Sequence, residues 1–135
     1  MIKLMTVAPA GKEPPLCRFF SELEEKQRQK LFDLFLMLMQ MPAEVMREPY
    51  VKHFSLERYH ALYELRIKAK ILVRIIFSIE ENGNILFLTP FVKRRKRDTM
   101  QALEASLGLL AQVEDGSCSV QELSIHFFIN GGKAL

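Results

Sequence analysis

Cysteine is scarce in this chain, long apolar runs are missing, and the overall charge is small. Cys17 and Cys118 are the only cysteines. Two isolated cysteines make neither a disulfide framework nor a Cys-x-x-Cys metal pattern, and read as free thiols in a reducing compartment. The longest apolar stretch, Leu31 to Met41, is broken by Asp33 and Gln40 and falls well short of the ~20 residues that span a bilayer. The N-terminal segment lacks the apolar h-region of a secretory signal. These absences predict a soluble, cytoplasmic protein with no membrane partner and no bound metal or cofactor.

What is present is a globular composition. Apolar residues make up 49% of 135, enough to argue against disorder. A chain of this length buries roughly two-thirds of its unfolded surface without disulfides or metal. The simplest organisation is one domain over residues 1–135, with a core about 16–115 and a tail over 116–135.

Local patterns place the elements. Residues 1–15 read as an irregular or short extended lead-in, broken by Gly11 and Pro14-Pro15. A helix is expected from Pro15 or Leu16 to about Met41, stopped by Pro42. A break near Ser21 fits a capping box between Ser21 and Glu24. The connection from Pro42 to His60 reads as polar and irregular, with a short helix near Ala43 to Arg47. Three strands follow. Tyr63, Leu65 and Ile67 alternate with Glu64, Arg66 and Lys68, and Ile71, Val73, Ile75, Phe77 and Ile79 form the apolar face of the next strand. Asn82-Gly83 signals a two-residue hairpin into a strand over about 85–93. That turn pairs Glu81 with Asn84, Arg74 with Phe91, and Ile76 with Thr89. A first turn centred on Ala69 sets Arg66 opposite Leu72 and Glu64 opposite Arg74. Asp98 then reads as the N-cap of a helix to about Val113, with Gln101 completing a capping box. The tail either adds a strand or docks on the first helix through its patch at Ile125 to Ile129. The pattern is α+β: a small twisted antiparallel sheet with N-terminal and C-terminal helices.

The charge is unevenly spread. The net charge is +3, yet the stretch from Leu62 to Arg97 holds nine Lys/Arg and three acids. Its excess of +6 leaves the remainder at −3. Arg66 and Arg74 sit inside strands, and Lys93, Arg94, Arg95, Lys96 and Arg97 follow the third strand without interruption. Cations gathered on a sheet face and at its edge concentrate a polyanion and speed its capture. The plainer alternative is that Arg66 and Arg74 pair with Glu64 or Glu80 on a solvated face, and that the basic run is surface charge.

The ordered set LYELRIK, VRIIF and ILFLTPFVKRRK, between two helices, resembles the RelE/ParE toxin superfamily, and in particular its HigB-like, phage-derived Gp49-like branch. The likeness spans roughly Phe19 to Val113. It implies a small antiparallel sheet with helices on one side, and the toxin of a type II toxin–antitoxin pair. The implied partners are an antitoxin of the helix-turn-helix, HigA-like kind, the ribosome and mRNA, with operator DNA reached only through the antitoxin. The implied activity is metal-independent cleavage of mRNA by attack of a ribose 2′-OH on the adjacent phosphate. On that likeness Arg66 is a phosphate clamp and Arg74 the stabiliser of the transition state. Lys93 binds the scissile phosphate or protonates the leaving oxygen, and Phe91 stacks on a base. Arg94, Arg95, Lys96 and Arg97 grip flanking RNA, with Lys68 and Lys70 beside them. Thr89 stands where HigB-like proteins often carry histidine, and Asp98 where they often carry proline. The general base then falls to His53, His60, Glu64 or a lysine. Two alternatives share the fold: a non-catalytic module acting with the antitoxin at an operator, and a ParE-like inhibitor of gyrase.

Overall fold

The computed structural model describes residues 1–124, 126 and 128. Its centre is a six-stranded sheet in the order β2-β3-β4-β5-β1-β6. The strands are β1 (Leu4–Pro9), β2 (Val51–His53), β3 (Leu62–Ala69), β4 (Ile71–Ile79), β5 (Ile85–Val92) and β6 (Cys118–Glu122). The helices are α1 (Pro15–Glu22), α2 (Glu25–Gln40), α3 (Pro42–Val45) and α4 (Lys96–Glu114), with a 3-10 turn at Glu57–Tyr59.

The sheet is mixed rather than wholly antiparallel, because β1 runs parallel to β5, with Leu4 beside Ile85 and Thr6 beside Phe87. The expected irregular lead-in is therefore a strand. It was hard to see because Thr6, Val7 and Ala8 are all buried: a strand covered on both faces shows no alternation. The tail does both things left open for it. Its residues Cys118–Glu122 pair antiparallel with β1, and Phe128 packs on Phe20, Phe32 and Phe35 of the N-terminal helices. Ile125, Phe127 and Ile129 of the expected apolar patch lie outside the described residues.

Helices cover both faces of the sheet, not one. On one face Phe20, Leu31, Phe35 and Leu38 of α1 and α2 pack with Leu65, Val73, Ile75, Phe77 and Phe87. Phe35 has no exposed surface and stacks on Phe87 with ring centres 4.8 Å apart. On the other face Ala102 and Leu103 of α4 pack with Val7, Leu62, Ile76, Leu86 and Leu88. The N-terminal helix is broken, as the sequence suggested, but at Leu23 and Glu24, whose backbones are extended. The capping residue is Glu24 rather than Ser21: its N–H donates to Gln27 Oε1 at 3.0 Å, while Ser21 Oγ donates to the Arg18 carbonyl. The irregular 42–60 connection contains β2, which pairs with residues 63–65 of β3.

Both hairpins depart from the expected turns, yet neither departure takes Arg66, Arg74, Thr89 or Phe91 off their shared face; only residues 85–87, between the β4–β5 turn and the bulge, shift by one and change face. The β3–β4 turn centres on Lys70, with φ of +69°, so Arg66 lies opposite Arg74 and Glu64 opposite Ile76. The partners moved by two residues, which preserves the face. At the β4–β5 turn the Glu80 N–H donates to the Asn84 carbonyl, so three residues close the loop and Glu81 does not pair with Asn84. Gly83, at φ of +88°, supplies the left-handed position such a loop requires. A bulge between Ile76 and Phe77 absorbs the extra residue, and beyond it Arg74 faces Phe91 and Ile76 faces Thr89 as expected.

Two outcomes test this packing. Phe35→Ala should lower stability by about 3–5 kcal/mol in urea denaturation, the range for emptying a buried aromatic site. Lys70→Gly should raise it by about 1 kcal/mol, because the left-handed backbone costs an L-residue roughly 1–2 kcal/mol, more than the extra chain entropy of glycine.

Candidate nucleic-acid interface

The strand registers set the polar residues of one face in three rows. Glu64, Ile76 and Thr89 form the first, Arg66, Arg74 and Phe91 the second. Lys68 and Leu72 begin the third, and the Lys93 N–H continues it by donating to the Leu72 carbonyl at 2.8 Å. Neighbouring strands lie about 4.8 Å apart and alternate residues about 7 Å apart. The last two rows thus confine Arg66, Lys68, Arg74 and Lys93 to one small area. α4 packs on this face through Ala102, Leu103 and Ser106; of the four cations, Lys68 is exposed and Arg66, Arg74 and Lys93 are partly buried.

The first row is closed. Glu64 is 1% exposed, and its Oε1 accepts the Arg66 Nε–H at 2.9 Å and lies 3.6 Å from Arg74 Nε. The plainer pairing with Glu64 is therefore present, within β3 for Arg66 and across to β4 for Arg74, but in a buried setting rather than a solvated one. Two guanidiniums share one carboxylate, so the cluster keeps a charge of +1. Burial pushes the Arg74 guanidinium below its ordinary value; Glu64 opposes that and the neighbouring Arg66 adds to it. The Thr89 Oγ1 lies 2.7 Å from Ser106 Oγ, which donates to the Ala102 carbonyl. The one Ser106 proton is thus used, and Thr89 is the donor of the pair. This side chain thus pins α4 to the sheet.

Two grooves flank the rows. The first, about 550 Å³, lies between β5 and the start of α4 and is lined by Thr89, Phe91, Arg94, Arg95, Arg97 and Gln101, among others. The second, also about 550 Å³, curls round the β3 edge past the end of β2. Its walls mix Leu34, Met37, Tyr50 and Leu72 with Lys30, Arg66, Lys68 and Arg74. Phe91 packs against the second core while lining the first groove.

The basic run enters α4 because the helix begins three residues earlier than expected. The helix starts at Lys96, and Asp98 is its third residue rather than its N-cap. The Asp98 carboxylate accepts the N–H groups of Arg94 and Arg95, each at 2.8 Å, which holds it below the usual carboxylate range. Lys96 and Arg97 occupy the first turn, where the helix dipole disfavours cations and favours anions. Lys96 is exposed and lines neither groove, and Lys70 is exposed at the tip of the β3–β4 hairpin.

The histidines stand apart. His53 pairs with Tyr63, whose ring it stacks on at 4.5 Å, and Tyr63 stacks in turn on Phe77. That is the face opposite the arginines. His60 precedes β3 at its other end, its Nδ1 bound to the Glu57 carbonyl. Among the described residues, neither histidine reaches the arginine rows, and no group of three or more His, Cys, Asp or Glu could hold a metal ion. Likewise, no helix among the described residues is long and apolar enough to cross a membrane.

Residues 18–106 match the model of the phage-derived protein Gp49-like family. The chain belongs to the Gp49-like family. This is a family of RelE-like toxins associated with toxin–antitoxin systems, which implies an antitoxin as partner. No curated protein gives a significant match. The Gp49-like match runs from α1 into α4 and takes in every row of the cationic face, whereas β1 and β6 lie outside it.

One clamp on α4 has no signal in the sequence. Arg58 donates to both Glu104 oxygens, at 2.8 and 2.6 Å, and the Tyr59 hydroxyl donates to the same carboxylate. The residues are about forty-five positions apart, so only the fold brings them together. These bonds lower the Glu104 carboxyl to about 2. A depressed carboxyl contributes stability that is complete above its ordinary pKa of 4.5 and lost as pH falls toward 2. Glu104→Gln should therefore melt below wild type at pH 7, with the gap narrowing as pH falls from 4.5 toward 2.

Proposed function

We propose that this Gp49-like protein is the toxin of a type II toxin–antitoxin pair and acts as an endoribonuclease on mRNA at the ribosome. The observation that carries the reading is the row of Arg66, Arg74 and Phe91 beside Lys68 and Lys93 at the open end of the sheet. A phosphodiester attacked by its own ribose 2′-oxygen gathers charge on its nonbridging oxygens. Guanidiniums stabilise that charge because they stay protonated and donate in a planar fork.

In this mechanism the 2′-oxygen forms a bond to phosphorus and the bond from phosphorus to the 5′-oxygen breaks. The products are a 2′,3′-cyclic phosphate and a 5′-hydroxyl end. Arg66 clamps the phosphate and Arg74 meets the charge that develops. Lys93 donates a proton to the departing 5′-oxygen. Phe91 offers an aromatic face to a base in the groove beside α4, where sequence matters little to stacking. Arg94, Arg95 and Arg97 line that groove and hold the flanking backbone, with Lys96 on the first turn of α4 and Lys70 at the hairpin tip as further exposed cations. His53 and His60 lie off the rows, Glu64 is buried against both arginines, and Lys93 serves as the acid, which leaves the uncharged form of Lys68 to take the 2′-OH proton. The absence of histidine from the rows favours one second reading, a RelE-fold module that binds without cleaving.

Induced expression of wild type and Arg74→Ala, with growth scored and mRNA 5′ ends mapped, tests this. Wild type should arrest growth and create new in-frame cleavage sites. Arg74→Ala should lose about 10²–10³-fold in cleavage, the usual cost of removing one donor to a developing oxyanion, with its fold checked by thermal melting. A folded wild type that produces no cleavage would leave the binding module in its place.

A further inference from the structure

We infer that Glu64 is the positioning residue of the arginine pair: a single buried carboxylate that holds both guanidiniums by their Nε sides and does not itself take part in proton transfer. For its functional meaning the inference rests on the RNA-cleavage reading above.

The argument is geometric. Glu64 stands one row behind Arg66 and Arg74, on the same face of β3. Its Oε1 is engaged by Nε of each arginine, as a hydrogen bond from Arg66 at 2.9 Å and a looser charge contact with Arg74 at 3.6 Å. Contact at Nε, rather than across the terminal fork, leaves the terminal nitrogens for a ligand. Those of Arg66 make no other hydrogen bond among the described residues, and Arg74 spends one weakly on the neighbouring Val73 carbonyl at 3.3 Å. Both arginines line the groove at the β3 edge, and Glu64 does not.

The same geometry removes Glu64 from the list of bases. Its Oε2 is buried without a hydrogen-bond partner, and a ribose hydroxyl cannot reach it while the arginines are in place. Arg74 Nε is likewise buried without a hydrogen bond and has the Glu64 carboxylate as its charge contact. Without the carboxylate, two guanidiniums directly opposite one another on adjacent strands repel, and the row loses its alignment.

The test compares the full chain with Glu64→Gln, which keeps the shape and removes the charge. The first readout is the arginine Nε–H region of ¹H–¹⁵N spectra of the free protein. Wild type should show an exchange-protected Arg66 Nε–H that Glu64→Gln loses while its backbone spectrum stays folded. The second is cleavage of mRNA in a translating extract across pH. Positioning predicts a fall of about 100-fold, the scale of an ångström of misplacement, with the shape of the pH profile kept. Retention of the protected signal, or loss of the acidic limb alone, overturns the inference, the latter because it marks a general base. If Glu64→Gln does not fold, Glu64→Asp keeps the charge and shortens its reach, and the same Nε–H criterion decides. A protected signal that depends on Glu64 supports the inference even if wild type cleaves no RNA, an outcome that would count against the cleavage reading alone.

Discussion

Both faces of the sheet are covered by helices, and every polar residue on its strands must find a place within that constraint. An ionised group under a helix costs several kcal/mol unless it is paired. Glu64 is buried against two arginines, whereas Arg66, Lys68 and Arg74 reach a groove at the β3 edge that α2 helps to wall. The cationic area thus lies along grooves that the three-layer packing leaves open. The covering helices shape it: α2 and Tyr50 wall one groove, and the start of α4 walls the other.

The attachment of α4 governs that opening. Leu103 and Ala102 bury its stripe, Ser106 is tied to Thr89, and Glu104 is gripped by Arg58 and Tyr59. These contacts fix where the helix begins relative to β5, and with it where Arg94, Arg95 and Arg97 stand. The two additions outside the family match serve the same frame from the other side. β1 occupies the edge of β5 that would otherwise be an unpaired template for association, and β6 closes onto β1.

Much of this was legible in the residues. The alternation in β3 and β4 set which side chains share a face, and a period of two makes that assignment insensitive to where a turn is centred, provided the shift is even. The expected pairing of Arg66 with Leu72 was displaced by two residues, yet Arg66 and Arg74 stayed together. The β4–β5 hairpin shows a second kind of tolerance. Its loop is one residue longer than the Asn-Gly signal suggested, and the bulge at Ile76/Phe77 restores the pairing of Arg74 with Phe91. The helix break was foreseen as well, though its cap proved to be Glu24, because Leu23 and Glu24 take the extended conformation.

The sequence by itself determined the elements with strong periodicity, the concentration of positive charge between Leu62 and Arg97, and the face on which the strand arginines lie. All of these follow from local rules of side-chain spacing. Tertiary structure decided the rest. Buried strand β1 carries no alternation, and polar edge strand β6 exists through pairing with it. The second helical layer follows from an apolar stripe on α4 whose partner no local pattern names. The burial of Glu64 between two guanidiniums, the diversion of Thr89 to Ser106 and the placing of His53 on the far face depend on contacts between residues distant in the chain. Such contacts are set by how the layers close, and closure is a property of the whole chain.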